Sequence, residues 1–233
     1  MSLSIITPGN KEETIEYSAR NWIELGKKAI EEDGVFNVAL SGGSTPKAIF
    51  QRFKKNDLDW SKVHIFFSDE RVVDMKDPQS NFKMAMDAGF RELVKGIQVN
   101  AMYKGGDIQQ AALKYEEALP EKFHLIMLGM GGDGHIASLF PYTHALNAEG
   151  RYVVANYLPE KEVWRLTFTY EALQETDAVN LYVLGKDKAE VVKTVLEGPS
   201  DPAQFPVQKL FSMKVPVNLI LDRDAASLLN SSK

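Results

Sequence analysis

Leu125-Ile126-Met127-Leu128-Gly129-Met130-Gly131-Gly132-Asp133-Gly134-His135-Ile136-Ala137-Ser138-Leu139-Phe140-Pro141 decides how this chain folds. The apolar run at its start is too short for a helix and ends at a glycine, so it reads as a buried strand. Four glycines follow within six residues, letting the backbone take positive φ and letting a ligand come close. Asp133 and His135 sit among them, just past the carboxyl end of the strand, where open α/β sheets bind ligands. A carboxylate placed to orient an imidazole on a tight loop is a general-base arrangement.

Three other readings of the stretch are weaker. Gly129, Gly131 and Gly134 match G-x-G-x-x-G, the dinucleotide fingerprint. That fingerprint needs an acidic residue at the end of the following strand, and the candidate, Tyr152 to Ala155, ends in Asn156. A purely structural turn would leave the adjacent Asp133, Gly134 and His135 without a reason. A metal site lacks a second His or a Cys at ligand spacing, and a catalytic zinc wants three protein ligands. No metal and no cofactor is therefore expected.

The whole chain sets the bounds. Its 233 residues, 44% hydrophobic, are enough for a substantial core in a single domain, 1–233. A net charge of −5 argues against a nucleic-acid surface, so an anionic ligand must be met by a local cluster of Lys and Arg. The absence of cysteine removes disulfides, thiolate nucleophiles and Cys–zinc sites. The start, Met-Ser-Leu-Ser-Ile-Ile-Thr-Pro, has no basic n-region or long apolar core, and no run approaches membrane-spanning length; the expectation is a cytoplasmic protein without a membrane partner.

Along the chain, Ser4 to Ile6 reads as strand and Lys11 to Glu32 as a helix with Ile15, Ala19, Trp22, Ile23 and Ala29 near one face, stopped by Gly34. The strand Val35 to Leu40 enters Ser41-Gly42-Gly43-Ser44-Thr45-Pro46, with Thr45 expected as N-cap and Pro46 as first helical residue. A strand, a Gly/Ser/Thr loop and a helix start together make a cradle for an oxyanion or phosphate. It is not a Walker A loop. Val63 to Phe67 emerges into Ser68-Asp69-Glu70-Arg71, and Ser80 or Asn81 caps a helix to Phe90. Further strands are expected at Ile97 to Met102, Tyr152 to Ala155, Trp164 to Thr169, Ala178 to Leu184 and Val217 to Asp222. Helices are expected at Ile108 to Leu119, from Lys186 to Leu196 and from Asp224. Strands alternating with helices predict an α/β, Rossmann-like fold, with a mainly parallel sheet covered by helices on both faces. Loops after Leu40, Phe67, Leu128 and Leu184 then share one sheet edge and can converge on one ligand.

Taken together, Ser41 to Pro46, Ser68 to Arg71, Ser80-Asn81-Phe82, Gly129 to His135 with Ser138-Leu139-Phe140-Pro141, and Arg165-Leu166-Thr167-Phe168-Thr169 resemble the 6-phosphogluconolactonase family. They occur in that family's order over nearly the whole chain. The family lies in the glucosamine/galactosamine-6-phosphate isomerase superfamily, whose core is shared with glucosamine-6-phosphate deaminases and ribose-5-phosphate isomerases. The resemblance implies metal-independent hydrolysis of 6-phospho-D-glucono-1,5-lactone to 6-phosphogluconate, in the oxidative pentose phosphate pathway. Two positions depart from the lactonase pattern: Gly132, where Pro or Ser is common, and Ile136, where Thr is usual. Asp-Gly-His-Ile-Ala is how the deaminases read, but they continue Phe-Asn-Glu-Pro and carry Asp-Glu-Tyr. Here the continuation is Ser138 to Pro141, without an acid, and the triplet is Asp69-Glu70-Arg71. A deaminase or isomerase of the same fold, or an inactive sugar-phosphate sensor, is the alternative.

A δ-lactone is an activated ester, so a positioned water and a base suffice. His135 is the expected base and Asp133 its orienting partner. The oxyanion donors are expected among the N–H groups of Gly131, Gly132 and Gly134, or at Arg71. Ser138 lacks a G-x-S-x-G elbow and is read as a helix-start residue. Ser41, Gly42, Gly43, Ser44 and Thr45, with Arg165 and Lys188, are the expected phosphate contacts; for Lys188 the resemblance carries the role, since the deaminases use a Lys at this Gly-x-x-Lys-Ala position. Asp69 and Glu70 are expected only to hold Arg71. A sugar-phosphate lactone is the expected partner, and a monomer or weak homodimer the expected state.

Overall fold

Residue 26 is glycine in the middle of a helix, where it costs about 1 kcal/mol relative to alanine. The helix is α1 (Lys11–Asp33), and the reason is packing: a Cβ at Gly26 would run into the ring of Phe36. Asn10 and Glu13 form a reciprocal capping box at its start, and Gly34, at φ 75°, ends it in the left-handed region. Its buried stripe, Ile15, Ala19, Trp22 and Ala29, lies on the sheet beneath.

In a computed structural model of the chain, which describes residues 3–53, 56–93 and 98–230, seven parallel strands form the central sheet. They are β1 (Leu3–Ile6), β2 (Phe36–Leu40), β3 (Val63–Phe67), β5 (Gln98–Val99), β6 (Leu125–Gly129), β9 (Val179–Val183) and β10 (Val217–Leu221), in the order β1-β10-β9-β6-β2-β3-β5. The remaining three, β4 (Asp69–Arg71), β7 (Val153–Leu158) and β8 (Val163–Phe168), make a separate antiparallel sheet in the order β4-β8-β7. Strand-period reasoning finds β8 but ends the strand before it at Ala155, whereas β7 runs on to Leu158, and it gives no sign that the two leave the parallel sheet.

From β1 through β2, β3 and β5 the chain moves one way across the sheet; from β6 through β9 and β10 it moves the other way. Right-handed crossovers in opposite directions put their helices on opposite faces. Hence α1, α2 (Ser44–Phe50), α3 (Asn81–Ala85) and the turn α4 (Arg91–Leu93) cover one face. The other carries α5 (Ile108–Glu117), α6 (Tyr170–Gln174), α7 (Ala189–Glu197) and α8 (Val207–Ser212). On the first face Trp22 is fully buried against Phe36, Phe53, Trp60 and Phe90. On the second, Tyr115 of α5 packs on Phe66, accepts from the Phe67 N–H at 2.7 Å and donates back to the Phe67 carbonyl.

Several local expectations are corrected. The α2 helix starts at Ser44 with Gly43 as its cap, so Thr45 is not the N-cap and Pro46 is the third helical residue, still in the first turn where its missing N–H is harmless. Ser80 caps α3, which stops at Ala85 and passes into a wider π-type turn around Gly89, φ 141°, instead of running regularly to Phe90. The expected strand at Ile97 to Met102 is ordered as strand only at β5, and Ile97 lies outside the described residues. Asp224 opens a run of turns, not a helix, and α8 has no counterpart among the expected helices. No helix among the described residues is long and apolar enough to cross a membrane.

The aromatic cluster around Trp22 joins α1 to the sheet, so Trp22→Ala is expected to lose about 3–5 kcal/mol of stability. Equilibrium urea unfolding would show this as a lower midpoint with an unchanged slope.

Candidate active site

The reversal of strand order between β2 and β6 leaves a crevice at their carboxyl ends, the usual ligand position in such sheets. A cleft of about 500 Å³ lies there, walled by Ser41 to Pro46 after β2, Asp69 and Arg71 after β3, Gly129 to Gly131 and His135 after β6, and Gly185 and Lys188 after β9. The small sheet closes it with Arg165 of β8. Another groove, about 660 Å³, runs along Val72 to Lys76, Phe82 and Tyr103, and contains none of the expected site residues.

His135 and Asp133 meet as expected: Nδ1 lies 2.5 Å from Asp133 Oδ1, which also accepts the His135 backbone N–H at 3.2 Å. Burial pushes the Asp133 carboxyl up, but the hydrogen bond and charge of His135 outweigh it and hold the group down at about 2. Asp133 is thus an acceptor at neutral pH, and the Nδ1 facing it must carry the proton. The Nε2 lone pair of the neutral ring is left for the cleft. The pair fits only because residue 131 has no side chain: a Cβ there would overlap His135 Nδ1 and Asp133 Oδ1. At Gly132 nothing lies within 4 Å of the place a Cβ would take and φ is not positive, so this position tolerates a larger residue.

Two of the loop amides expected as oxyanion donors, those of Gly131 and Gly134, are turned inward. Gly131 N–H donates to the His135 carbonyl at 2.9 Å and Gly134 N–H to the Gly131 carbonyl at 3.1 Å, which is how so tight a turn closes. Neither Gly132 nor Gly134 lines the cleft. Ser138 does not start a helix. It is buried, donating Oγ–H to Asp69 Oδ2 at 2.7 Å and N–H to Thr167 Oγ1 at 3.1 Å, while its carbonyl accepts from Asn156 Nδ2.

Asp69 and Glu70 do not hold the Arg71 guanidinium, contrary to expectation. Glu70 accepts from the N–H groups of Arg71, Asn81 and Phe82 and from Ser80 Oγ, tying β4 to the start of α3. Its burial raises its carboxyl above the usual range, with those amides opposing. Asp69 receives Asn81 Nδ2, and the Asn81 amide oxygen occupies the space a Cβ on Gly42 would need. Gly42 thereby seats the Ser41 to Thr45 loop on this carboxylate–amide pair.

Arg71 and Arg165 are register partners across β4 and β8, so two guanidinium groups share one wall of the cleft. Their side-chain donors go to carbonyls, Arg71 Nη1 to Gln79 at 2.5 Å and Arg165 Nη1 to Trp164 at 3.1 Å. Burial lowers Arg165, the charge of Arg71 lowers it further, and Asp69 and Glu70 work against both. Lys188 stands across the cleft beside Asp187, after Gly185, whose N–H is gripped by buried Asp222. Lys11, Phe140 and Lys161 also line the cleft, and sequence reasoning misses them. Lys11 and Lys161 come from elements with no local motif, the first turn of α1 and the Pro159–Lys161 turn, whereas Phe140 belongs to the Ser138 to Pro141 motif, which gives its ring no role.

Gly131→Ala is expected to break the His135–Asp133 pair, whereas Gly132→Ala leaves it intact. Nitrogen-15 spectra of the histidine side chains distinguish the two, since only the first should lose the fixed Nδ1–H tautomer.

The family model for glucosamine-6-phosphate isomerases/6-phosphogluconolactonase matches residues 9–217. A 6-phosphogluconolactonase of Chlamydia trachomatis is 33% identical over 229 residues, 93% of this chain and 86% of that protein. The crystal structure of 6-phosphogluconolactonase from Leishmania guyanensis superimposes with a TM-score of 0.85 at 28% identity, covering 99% of this chain and all (100%) of the other. A monomeric glucosamine-6-phosphate deaminase shares the fold, with a TM-score of 0.83 at 21% identity and coverage of 98% and 100%. By sequence span, identity and architecture, the chain belongs to the glucosamine-6-phosphate isomerase/6-phosphogluconolactonase family.

Proposed function

We propose that the chain hydrolyses 6-phospho-D-glucono-1,5-lactone to 6-phospho-D-gluconate, the lactonase step of the oxidative pentose phosphate pathway, in the cytoplasm, as a monomer or weak homodimer. The observation that carries this reading is the ionised Asp133 on His135 Nδ1, which leaves Nε2 as a base in a cleft lined by cations. In this reading His135 Nε2 takes a proton from water as its oxygen bonds to C1. The carbonyl electrons pass to the exocyclic oxygen, and Arg71 stabilises that oxyanion. Collapse breaks the bond from C1 to the ring oxygen, which receives the proton held on His135. The new carboxylic acid then ionises into solvent. No metal or cofactor enters these steps.

The phosphate is assigned to the Ser41 to Thr45 loop with Lys188 and Arg165. The α2 start supplies N–H and hydroxyl groups, and the cations supply charge that the net −5 of the whole chain does not. A deaminase is disfavoured because Asp69 is already engaged by Ser138 and Asn81, and residues 138 to 141 bring no acid to the loop.

Freshly prepared lactone and glucosamine 6-phosphate, assayed side by side for acid and ammonia release, test the reading. Acid release alone is expected; ammonia release would replace it with the deaminase. His135→Asn is expected to lose about 10²- to 10⁴-fold in kcat, measured against an enzyme-free blank at the same pH because the lactone hydrolyses unaided. Asp133→Asn, which removes only orientation, should lose less.

The pH profile has a defined sign. The base works only when neutral, so kcat/KM falls on the acid side with a single-proton slope. Asp133, held at about 2, stays ionised throughout and adds no second limb. Lys188→Ala should impair the phosphorylated lactone far more than unphosphorylated gluconolactone; equal impairment would remove Lys188 from the phosphate site.

A further inference from the structure

We infer that Phe140 is a positioning residue for His135, clamped by Lys161, so that His135, Phe140 and Lys161 act as one stack at the mouth of the cleft. The inference rests on the lactonase reading for its catalytic consequence. Asp133 restrains the ring of His135 at Nδ1, but one hydrogen bond tolerates some tilt of the ring plane, and the rotational well about the Cβ–Cγ bond is broad for histidine. The second constraint is the face of Phe140, whose ring centroid is 4.0 Å from that of His135 with the planes only 20° apart.

Phe140 is itself held from two sides. Its carbonyl accepts from Thr143 Oγ1 at 2.8 Å and from the Thr143 N–H, and Thr143 is tied to Asn156 of β7. Ala137 and Tyr142, both non-glycine residues at positive φ (48° and 59°), bracket the segment. Such backbone is retained only where its surroundings over-determine it; here it folds the chain back so that Phe140 covers the imidazole. On the ring, Lys161 places Nζ 4.6 Å from the centroid, a cation–π contact delivered by the turn between β7 and β8. That turn also brings Lys161 to the cleft, so one side chain couples the aromatic clamp to the wall that faces an anionic substrate.

The test combines kinetics on the lactone with proton NMR of the histidine ring, assigned by its loss in His135→Asn. A ring face at 4.0 Å shifts the His135 ring protons upfield. In Phe140→Leu that shift should disappear, and kcat should fall about 10- to 100-fold with KM nearly unchanged, the effect of a misplaced but intact base. Phe140→Tyr, which keeps the flat face, should restore both. Lys161→Met should reduce the shift and lower kcat several-fold. Phe140→Leu that loses the shift at full kcat overturns the inference. So does a fall in kcat and melting temperature that Phe140→Tyr does not rescue, because the role is then structural. A wild-type chain that shows the shift but releases no acid from the lactone overturns the lactonase reading and leaves the stack standing.

Discussion

The reversal of strand order between β2 and β6 is the constraint from which the rest of the molecule follows. Two neighbouring parallel strands whose connections run in opposite directions cannot both be covered at their carboxyl ends, so a crevice opens and the adjoining loops face it. The Ser41 to Thr45 cradle and the Asp133–His135 turn are the loops after those two strands. Nothing in either loop's own sequence brings it to the other; the topology does that. The small antiparallel sheet then closes the crevice, and its attachment is a buried polar chain. Ser138 bridges Asp69 of β4 and Thr167 of β8, and Asn156 of β7 holds the Ser138 carbonyl. Such a network is costly if any member is lost, because the remaining polar partners are buried. It therefore fixes the register in which Arg71 faces Arg165.

In the proposed function, that like-charge pair is how an acidic chain builds a site for an anion. Burial disfavours the Arg165 charge and repulsion from Arg71 across the strand pair adds to it, both in the direction in which Arg165 is displaced. Nearby carboxylates could have neutralised them, yet Glu70 is engaged by amides and Asp69 by Ser138 and Asn81. The positive potential is thus kept available to a ligand. Stability is given up at the site and recovered in the aromatic cluster around Trp22 and in the parallel sheet, a division of labour common where function needs groups that folding alone would not choose.

Much of this is legible in the sequence, and the reason differs from place to place. The α1 helix, the strands β2, β3, β6, β9 and β10 and the loops at their ends declare themselves because periodicity and glycine are local signals. The Asp133–His135 pair is legible for the same reason, being two residues apart. The second sheet is not, since β7 and β8 have ordinary strand patterns and only tertiary pairing with β4 removes them from the main sheet. Glu70 illustrates the limit more sharply. A carboxylate one residue from an arginine reads as its ion partner, but a strand turns successive side chains to opposite sides, and Glu70 faces the start of α3 instead. Lys11 and Lys161 are beyond reach because each approaches the cleft from a distant element.

Residues 138 to 141 carry the last step, the separation of two activities on one fold. In the deaminase pattern Phe-Asn-Glu-Pro the loop after the Asp-Gly-His turn carries an acid where this chain has Phe140, while Ser138 turns its hydroxyl back to Asp69. The same backbone, bent through Ala137 at positive φ, then carries Phe140 over the imidazole. A ring-opening relay needs an acid and a base that move protons between substrate atoms. A lactone needs one base held still while water attacks. Engaging Asp69 and stacking His135 removes mobility and supplies rigidity in the same few residues, and that combination suits hydrolysis better than isomerisation.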